Sequence, residues 1–114
     1  MTIKMEPIHA GEFLFSEGAG NISRESINVA ASEALNAGQL LGLVAASGEF
    51  APYDPKAEDG SEIATAILFA PLPESDIVRR GRAVVRLAEV AETLLTGLDL
   101  DAEKALAKQF IFLR

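Results

Sequence analysis

A chain of 114 residues with 49% hydrophobic and 24% charged side chains has the size and composition of one globular domain with a modest core. Its net charge of -7 opposes binding to nucleic acid or to an anionic membrane surface, and the absence of cysteine excludes disulfides, thiolate metal sites and a cysteine nucleophile. No apolar run is long enough for a transmembrane helix and no signal-type segment is present, so we expect a chain that is cytosolic when made.

The opening segment, residues 1–25, contains Pro7 and three glycines, and its apolar residues lie in isolated clumps without a helical period. This pattern predicts an extended, loosely held arm. The IKME stretch around Lys4 is similar to the acceptor motif of biotin carriers, but such a lysine is presented at a hairpin tip, and three residues cannot form the preceding strand. We therefore reject cofactor attachment. The apolar triplet Phe13–Phe15 is either a core strand or part of an arm that needs a partner, because burying each large side chain is worth roughly 1.5 to 3 kcal/mol.

The stretch SRESINVAASEALNAG fits two interpretations. A helix capped by Ser23 and ended by Gly38 is one of them. Against it, several of the residues are middling or poor helix formers, and Ile27 and Val29 alternate with polar neighbours as they would in a strand. A strand over residues 26–30 is favoured, while the choice between strand and helix stays open for the stretch as a whole.

The middle of the chain carries the clearest strand signals. AGQLLGLV predicts a strand that ends in a tight turn at Gly48. Phe50–Tyr53 begins the return strand, and Pro52 puts that strand at an edge or ends it early. The apolar run in EIATAILFAPL predicts the central strand, and RAVVRLAEV predicts one further strand between charges. Short strands separated by Gly and Pro turns predict a compact β-rich domain over residues 26–114.

The chain closes with LDLDAEKALAKQFIFLR, which predicts a helix over residues 101–109. Asp99 or Asp101 can cap its start, and acidic residues early and lysines late complement the helix dipole. The apolar residues 111–113 that follow form a final strand or a plug in the core. Together these elements predict a mainly β (α+β) fold with one short C-terminal helix and an extended N-terminal arm.

The loop YDPKAEDGSE concentrates carboxylates that could collect a hard cation or form an acid and base pair: Asp54, Glu58, Asp59 and Glu62. It lacks the D-x-D-x-D-G spacing of a calcium loop, so a solvated loop is favoured. His9 is the single histidine and has no cysteine or second histidine to complete a transition-metal site. With no Walker loop, G-x-G-x-x-G or G-x-S-x-G motif, nothing specifies an enzyme, and we predict no metal, no cofactor and no catalytic residue.

The run VRRGRAVVR is the basic cluster of the chain and brings together Arg79, Arg80, Arg82 and Arg86. Such a cluster can meet phosphate or an acidic protein surface. Because no aromatic residues are interleaved and the chain is acidic, ordinary surface arginines in a turn before a strand are the favoured interpretation.

The order and spacing of several segments resemble the phage head decoration protein D family, typified by the lambda head protein. The resemblance runs from about residue 11 to the C-terminus, and its most specific parts are AGQLLG, ASGEFAPYDP, DGSEIATAIL and GRAVVRLAEV. It implies a small body of the β-clip type and a homotrimer. It further implies that the trimer binds the outside of the expanded head at three-fold and quasi-three-fold sites and stabilises it against internal DNA pressure. The family has no catalytic residues or cofactor to carry over.

The resemblance also implies a binding site. In the family the N-terminal arm is loose in the free trimer and pairs as a strand with capsid subunits. On this sequence that role falls on residues 11–22, with these candidate capsid-binding residues: Phe13, Leu14, Phe15, Ser16 and Ile22. A second capsid contact is expected at Arg79, Arg80 and Arg82 if the facing capsid surface is acidic. The expected partner is the major capsid protein, with no nucleic acid and no membrane, on the virion surface after synthesis in the host cytoplasm.

Two other classes stay open. One is a small-ligand-binding or enzymatic β domain, for which the acidic loop at residues 54–62 is the place to look. The other is a structural subunit of another phage part, such as a tail or connector. The first predicts a monomer that a ligand stabilises, and the second predicts assembly without expanded heads.

Overall fold

The structure, a computed structural model, describes residues 8–114, so Lys4 lies outside the described part. This part contains eight strands, one 3-10 turn and one α-helix, which confirms a mainly β fold with a short helix near the C-terminus. The elements are β1 Leu14–Glu17, β2 Arg24–Val29, β3 Leu40–Leu43, β4 Phe50–Pro52, β5 Ala64–Leu68, β6 Arg79–Val84, β7 Ala88–Val90, the 3-10 turn Glu92–Leu94, α1 Leu100–Ala107 and β8 Ile111–Leu113.

A closed barrel in the order β2-β4-β3-β5-β6 forms the larger part of the body. Strands β2 and β6 run antiparallel in register from Arg24 opposite Val84 to Val29 opposite Arg79. The barrel closes where β2 meets β4 in parallel, with Val29 opposite Phe50. Its interior is filled by alternate side chains of the strands, among them Ile27, Val29, Leu41, Ala66, Leu68 and Ala83. Strand β2 confirms the strand predicted near residues 26–30.

The helical alternative for the stretch after Ser23 is wrong. The chain leaves β2 at Val29 and continues as an irregular loop tied to the residues before β6 by isolated bridges, Ser32 to Ser75 and Leu35 to Leu72. The alternation of buried Ile27 and Val29 with exposed neighbours decides the outcome, because only a strand turns both side chains into the barrel.

The single strand predicted from RAVVRLAEV is also wrong, because the structure divides it. Strand β6 ends at Val84 and β7 begins at Ala88, and between them Leu87 has a φ of 53°. A left-handed residue turns the chain out of the barrel and into a second sheet. The predicted effect of Pro52 is confirmed, since β4 ends at that residue.

The second sheet has the order β1-β7-β8, with β1 antiparallel and β8 parallel to β7. Its inner side packs with α1 and the barrel wall into one core that includes Phe13, Leu40, Ile67, Val84, Val90, Ala102, Leu106 and Ile111. Asp99 caps α1 by accepting the Ala102 N–H at 2.7 Å, which confirms the helix and selects between the two predicted caps. Residues 111–113 are both a strand and, through Ile111, part of the core.

Candidate interaction surface

The candidate residues of the N-terminal segment divide into buried and exposed ones. Phe13 is fully buried, because pairing of Leu14 with Val90 and the hydrogen bond from the Ala91 N–H to the Phe13 carbonyl at 2.7 Å draw it into the core. Leu14 is half-buried. Phe15 is 61% exposed, and Ser16 next to it is exposed as well. From Phe13 onward, this segment is therefore packed on the body of its own chain.

Ile22, which is 50% exposed, belongs to an apolar surface on the second sheet. Its side chain lies directly over Gly18, where a Cβ would have no room, and Leu87 lies next to the same position. A shallow groove of about 340 Å³ continues this surface along the sheet. We call it the sheet-end surface and define it by Ser16, Gly18, Ile22, Leu87, Phe110 and Phe112.

Two residues of the sheet-end surface have strained backbones. Leu87 has a φ of 53° and Phe110 a φ of 60°, and neither is a residue type that favours the left-handed region. The two lie side by side, because the Leu87 N–H donates to the Gln109 carbonyl at 3.3 Å and the Ala88 N–H donates to the Phe110 carbonyl at 3.0 Å. Such a conformation costs on the order of 1 to 3 kcal/mol per residue and clusters at functional sites. In this protein the strained backbone keeps the side chains of Leu87 and Phe110 exposed to solvent.

Charges around the sheet-end surface are paired within the chain. Arg24 forms a two-pronged salt bridge with Glu17 at 2.6 and 2.9 Å, and its guanidinium also lies 3.9 Å from the centroid of the Phe69 ring. Arg86 binds Glu25 at 2.6 Å, and Arg114 binds Glu89 at 3.2 Å. Glu17 and Glu89 line the groove itself. The surface is therefore close to neutral, although the chain as a whole carries -7.

The predicted arginine cluster does not act as one patch. Arg79 turns inward and donates to the Ala30 carbonyl at 2.9 Å, to the Ser32 hydroxyl at 2.5 Å and to the Pro73 carbonyl. Arg80 and Arg82 point outward from β6, and Arg80 reaches Asn28 at 3.2 Å. Among the described residues, Arg82 has no ion pair or hydrogen bond through its side chain. Within this cluster, Arg80 and Arg82 are therefore the exposed arginines that have no ion pair.

The Arg79 contacts order the loop before β6. Ser32 and Ser75 exchange two backbone hydrogen bonds of 3.1 Å, and the Ser75 hydroxyl both accepts from the Ile77 N–H and donates to its carbonyl. This ordered loop nevertheless holds Ile77 73% exposed. We call it the loop tip and define it by Glu74, Asp76, Ile77 and Val78. The sequence signal that we overlooked is an apolar pair inside a strongly polar run, PESDIVRR.

Beside β6 lies a second shallow groove, of about 380 Å³. We call it the barrel groove; its apolar side is formed by Phe69, Ala70 and Leu72, and its polar side by Ser26, Arg80 and Arg82. The backbone N–H of Phe69 donates to the Arg82 carbonyl at 2.8 Å, which holds the two sides together. The groove therefore combines an apolar floor with a cationic rim.

The acidic loop uses its carboxylates to hold itself. Asp59 accepts the hydroxyl of Ser61 at 2.6 Å and its N–H at 3.0 Å, and these hydrogen bonds lower the pKa of Asp59. Asp54 and Glu62 each accept a backbone N–H two residues away at 2.9 Å. Within residues 8–114 no group of three or more potential ligands is positioned for a metal ion. His9 lies exposed near the start of the described chain.

Strained backbone and hydrogen bonds keep apolar side chains exposed on this small β barrel. Exposed apolar surface of this kind is typical of a structural protein that binds other proteins. In the described part no helix is long and apolar enough to cross a membrane. The family model for the bacteriophage lambda head decoration protein D matches residues 3–111, nearly the whole chain. The chain therefore belongs to this family of phage head decoration proteins, which confirms the resemblance. No curated protein matches the chain significantly.

Family membership implies association with the exterior of the phage head capsid. It also suggests a structural and non-enzymatic role. Sequence reasoning missed Leu87, Phe110 and Phe112, because their exposure depends on pairing between β7 and β8, and no local pattern predicts a left-handed Leu or Phe.

Proposed function

We propose that this protein binds as a homotrimer to the outside of the expanded phage head, at three-fold and quasi-three-fold sites, and stabilises the head against internal DNA pressure. Its partner is the major capsid protein, and it contacts neither nucleic acid nor membrane. It is made in the host cytoplasm and acts on the virion surface without catalysis. The observation that carries the proposal is the strained, exposed and nearly neutral sheet-end surface in a member of a head decoration family.

The capsid contact lies on the sheet-end surface together with Phe15. Each large apolar side chain that a capsid subunit covers contributes roughly 1.5 to 3 kcal/mol. The backbone of Leu87 and Phe110 already has its strained conformation, so the free protein bears that cost and binding does not. The paired charges of Glu17 and Glu89 avoid the desolvation cost of unpaired carboxylates.

The N-terminal segment supplies both an anchor and a binding edge. Phe13 and Leu14 hold it on the body, which leaves Phe15, Ser16 and Ile22 for the capsid. Strand β1 lies at one edge of its sheet, and a capsid segment can extend that sheet by pairing with it. Three copies in one trimer act as a multivalent unit, so a modest affinity per copy gives tight attachment.

The alternatives have weaker support. The carboxylates proposed for a small-ligand site at residues 54–62 are engaged in closing their own loop. A role in a tail or connector predicts assembly without heads. Arg80 and Arg82 are still exposed for a second capsid contact, whereas Arg79 is engaged within the chain.

The test is to mix the purified protein with expanded and unexpanded heads and to count bound copies. We expect binding to expanded heads alone and greater resistance of those heads to heat. A chain with Phe15→Ser and Ile22→Ser should lose most head binding while keeping its oligomeric state. Ile63→Ser is the matched control, because Ile63 is an exposed isoleucine on another part of the chain. Equal binding to both head forms, or to neither, contradicts the proposal.

A further inference from the structure

The loop tip exposes Ile77 and Val78 to solvent, although many hydrogen bonds hold this loop in place. Three acceptors bind Arg79, and two backbone hydrogen bonds join Ser32 to Ser75. A flexible loop can rearrange to bury an isoleucine against the protein. In this ordered loop Ile77 instead points into solvent, and Val78 beside it is exposed as well. A rigid apolar projection is suited to insertion into a recess of another protein.

The barrel groove on the same chain has the complementary character. Its floor of Phe69, Ala70 and Leu72 is apolar, and neither Ile77 nor Val78 of the same chain lines it. The loop tip therefore does not occupy the barrel groove of its own chain, and the barrel groove of one copy is open to the loop tip of another.

The charges of the two surfaces are complementary as well. Glu74 and Asp76 precede the apolar pair of the tip, and Glu33 lines the same depression as these two carboxylates. The rim of the groove carries Arg80 and Arg82. In a chain of net charge -7, two copies repel each other in general, so an acidic tip and a cationic rim give the contact both its orientation and its attraction.

We infer that neighbouring copies of this chain bind head to tail, with the loop tip of one copy in the barrel groove of the next. This inference rests on the proposed homotrimer and names the two surfaces that form it. Because tip and groove are different surfaces, the contact is heterologous, and heterologous contacts that close produce a ring such as a trimer. The sheet-end surface takes no part in this contact and stays available to the capsid, whereas Arg80 and Arg82 are then covered by the neighbouring copy and no longer form a second capsid contact.

The first test is a charge swap measured by sedimentation equilibrium. A chain with Arg80→Glu and Arg82→Glu should lose the trimer, with at least a tenfold weaker association than the unchanged chain. A chain with Glu74→Arg and Asp76→Arg should do the same, and all four changes together should restore the trimer. If the single-sided variants stay trimeric, or if the full swap fails to restore assembly, the inference is overturned.

The second test uses the absence of cysteine from the chain. Ile77→Cys and Ala70→Cys chains are prepared separately, mixed, allowed to exchange and oxidised. A disulfide-linked pair should form in the mixture, and neither variant should cross-link alone, because each then has a thiol on one side of the contact. No cross-link in a mixture that is shown to be trimeric overturns the inference even if the charge variants fold poorly.

Head binding distinguishes this inference from the proposed function. A trimer that binds expanded heads but whose tip and groove variants remain trimeric refutes only the assignment of the two surfaces. A trimer that binds no heads, with the charge swap behaving as expected, refutes the capsid role and supports the contact. A chain that stays monomeric refutes both.

Discussion

The sheet end and the loop tip both hold apolar side chains in water, but by different means. At the sheet end, Leu87 and Phe110 are fixed by pairing between β7 and β8, the strands that also cover the core. At the loop tip, Ile77 is fixed by the contacts of Arg79 and Ser75. Strand β6, about 17 Å long at roughly 3.3 Å per residue, lies between the loop tip and Leu87 along the chain.

This difference determines what a mutation can separate. The sheet-end surface shares its strands with the core, so large changes there alter the fold and the binding together. The loop tip depends on side chains outside the core, so its order can be removed while the barrel stays folded.

The largest expected effect separates Phe13 from Phe15. Phe13→Ala should lower the free energy of unfolding by about 3 to 5 kcal/mol, because it empties a fully buried site in the core. Phe15→Ala should change it by less than about 0.5 kcal/mol, because that side chain is exposed. Urea unfolding measures both. Similar losses for the two variants would contradict the packing of the N-terminal segment on its own body.

A smaller effect is expected at Arg79, which orders the loop tip. Arg79→Met keeps the aliphatic stem but removes the donors to Ala30, Ser32 and Pro73. It should lower the free energy of unfolding by about 2 to 3 kcal/mol. Hydrogen exchange should accelerate in the loop and stay unchanged in the second sheet. Lys56→Met is the control, because it removes an exposed cation whose side chain makes no hydrogen bond or ion pair in the described part of the chain, and it should leave both readings within error. Faster exchange in the second sheet as well would mean that the two ends are coupled.

These residues show how far the sequence could lead. Alternating Ile27 and Val29, the apolar run of β5 and the capping Asp99 are local signals, and each predicted its element. The burial of Phe13 depends on pairing with a strand more than seventy residues away, which no local pattern contains. The four arginines look alike in sequence, yet one orders a loop, one binds Glu25 and two are exposed, because tertiary neighbours decide their roles.

A loss of folding stability at high pH is expected from Tyr53, the single tyrosine of the chain, and its size lies between the other effects predicted here. Burial, and then the hydrogen bond to Asp99 at 2.9 Å, raise the pKa of Tyr53 from 10.0 to about 12. The folded state therefore favours the neutral phenol. Its contribution to stability is complete below pH 10 and is lost as the pH rises through 12. Tyrosinate absorbance reports this residue alone and should show a midpoint near 12.

The control for Tyr53 is Asp99→Asn. Asparagine still caps α1, so the helix is kept while the negative charge beside the phenol is removed. The pKa of Tyr53 should then move part of the way back toward 10, since burial remains. A midpoint near 10 in the unchanged chain would show that Tyr53 is not buried between the barrel and α1.

The smallest expected effect concerns the strain at the sheet end. Leu87→Asn places a residue that tolerates the left-handed region at a φ of 53°, and should raise the free energy of unfolding by up to about 1 kcal/mol. Phe112→Asn, on the same surface but in a strand, has no such strain to relieve and should not stabilise the chain. Both should weaken head binding, because both remove an apolar side chain. If Leu87→Asn is more stable but binds heads less tightly, the strained backbone at this position serves to expose the leucine side chain. Equal changes in the free energy of unfolding for the two variants would show that the strain is negligible.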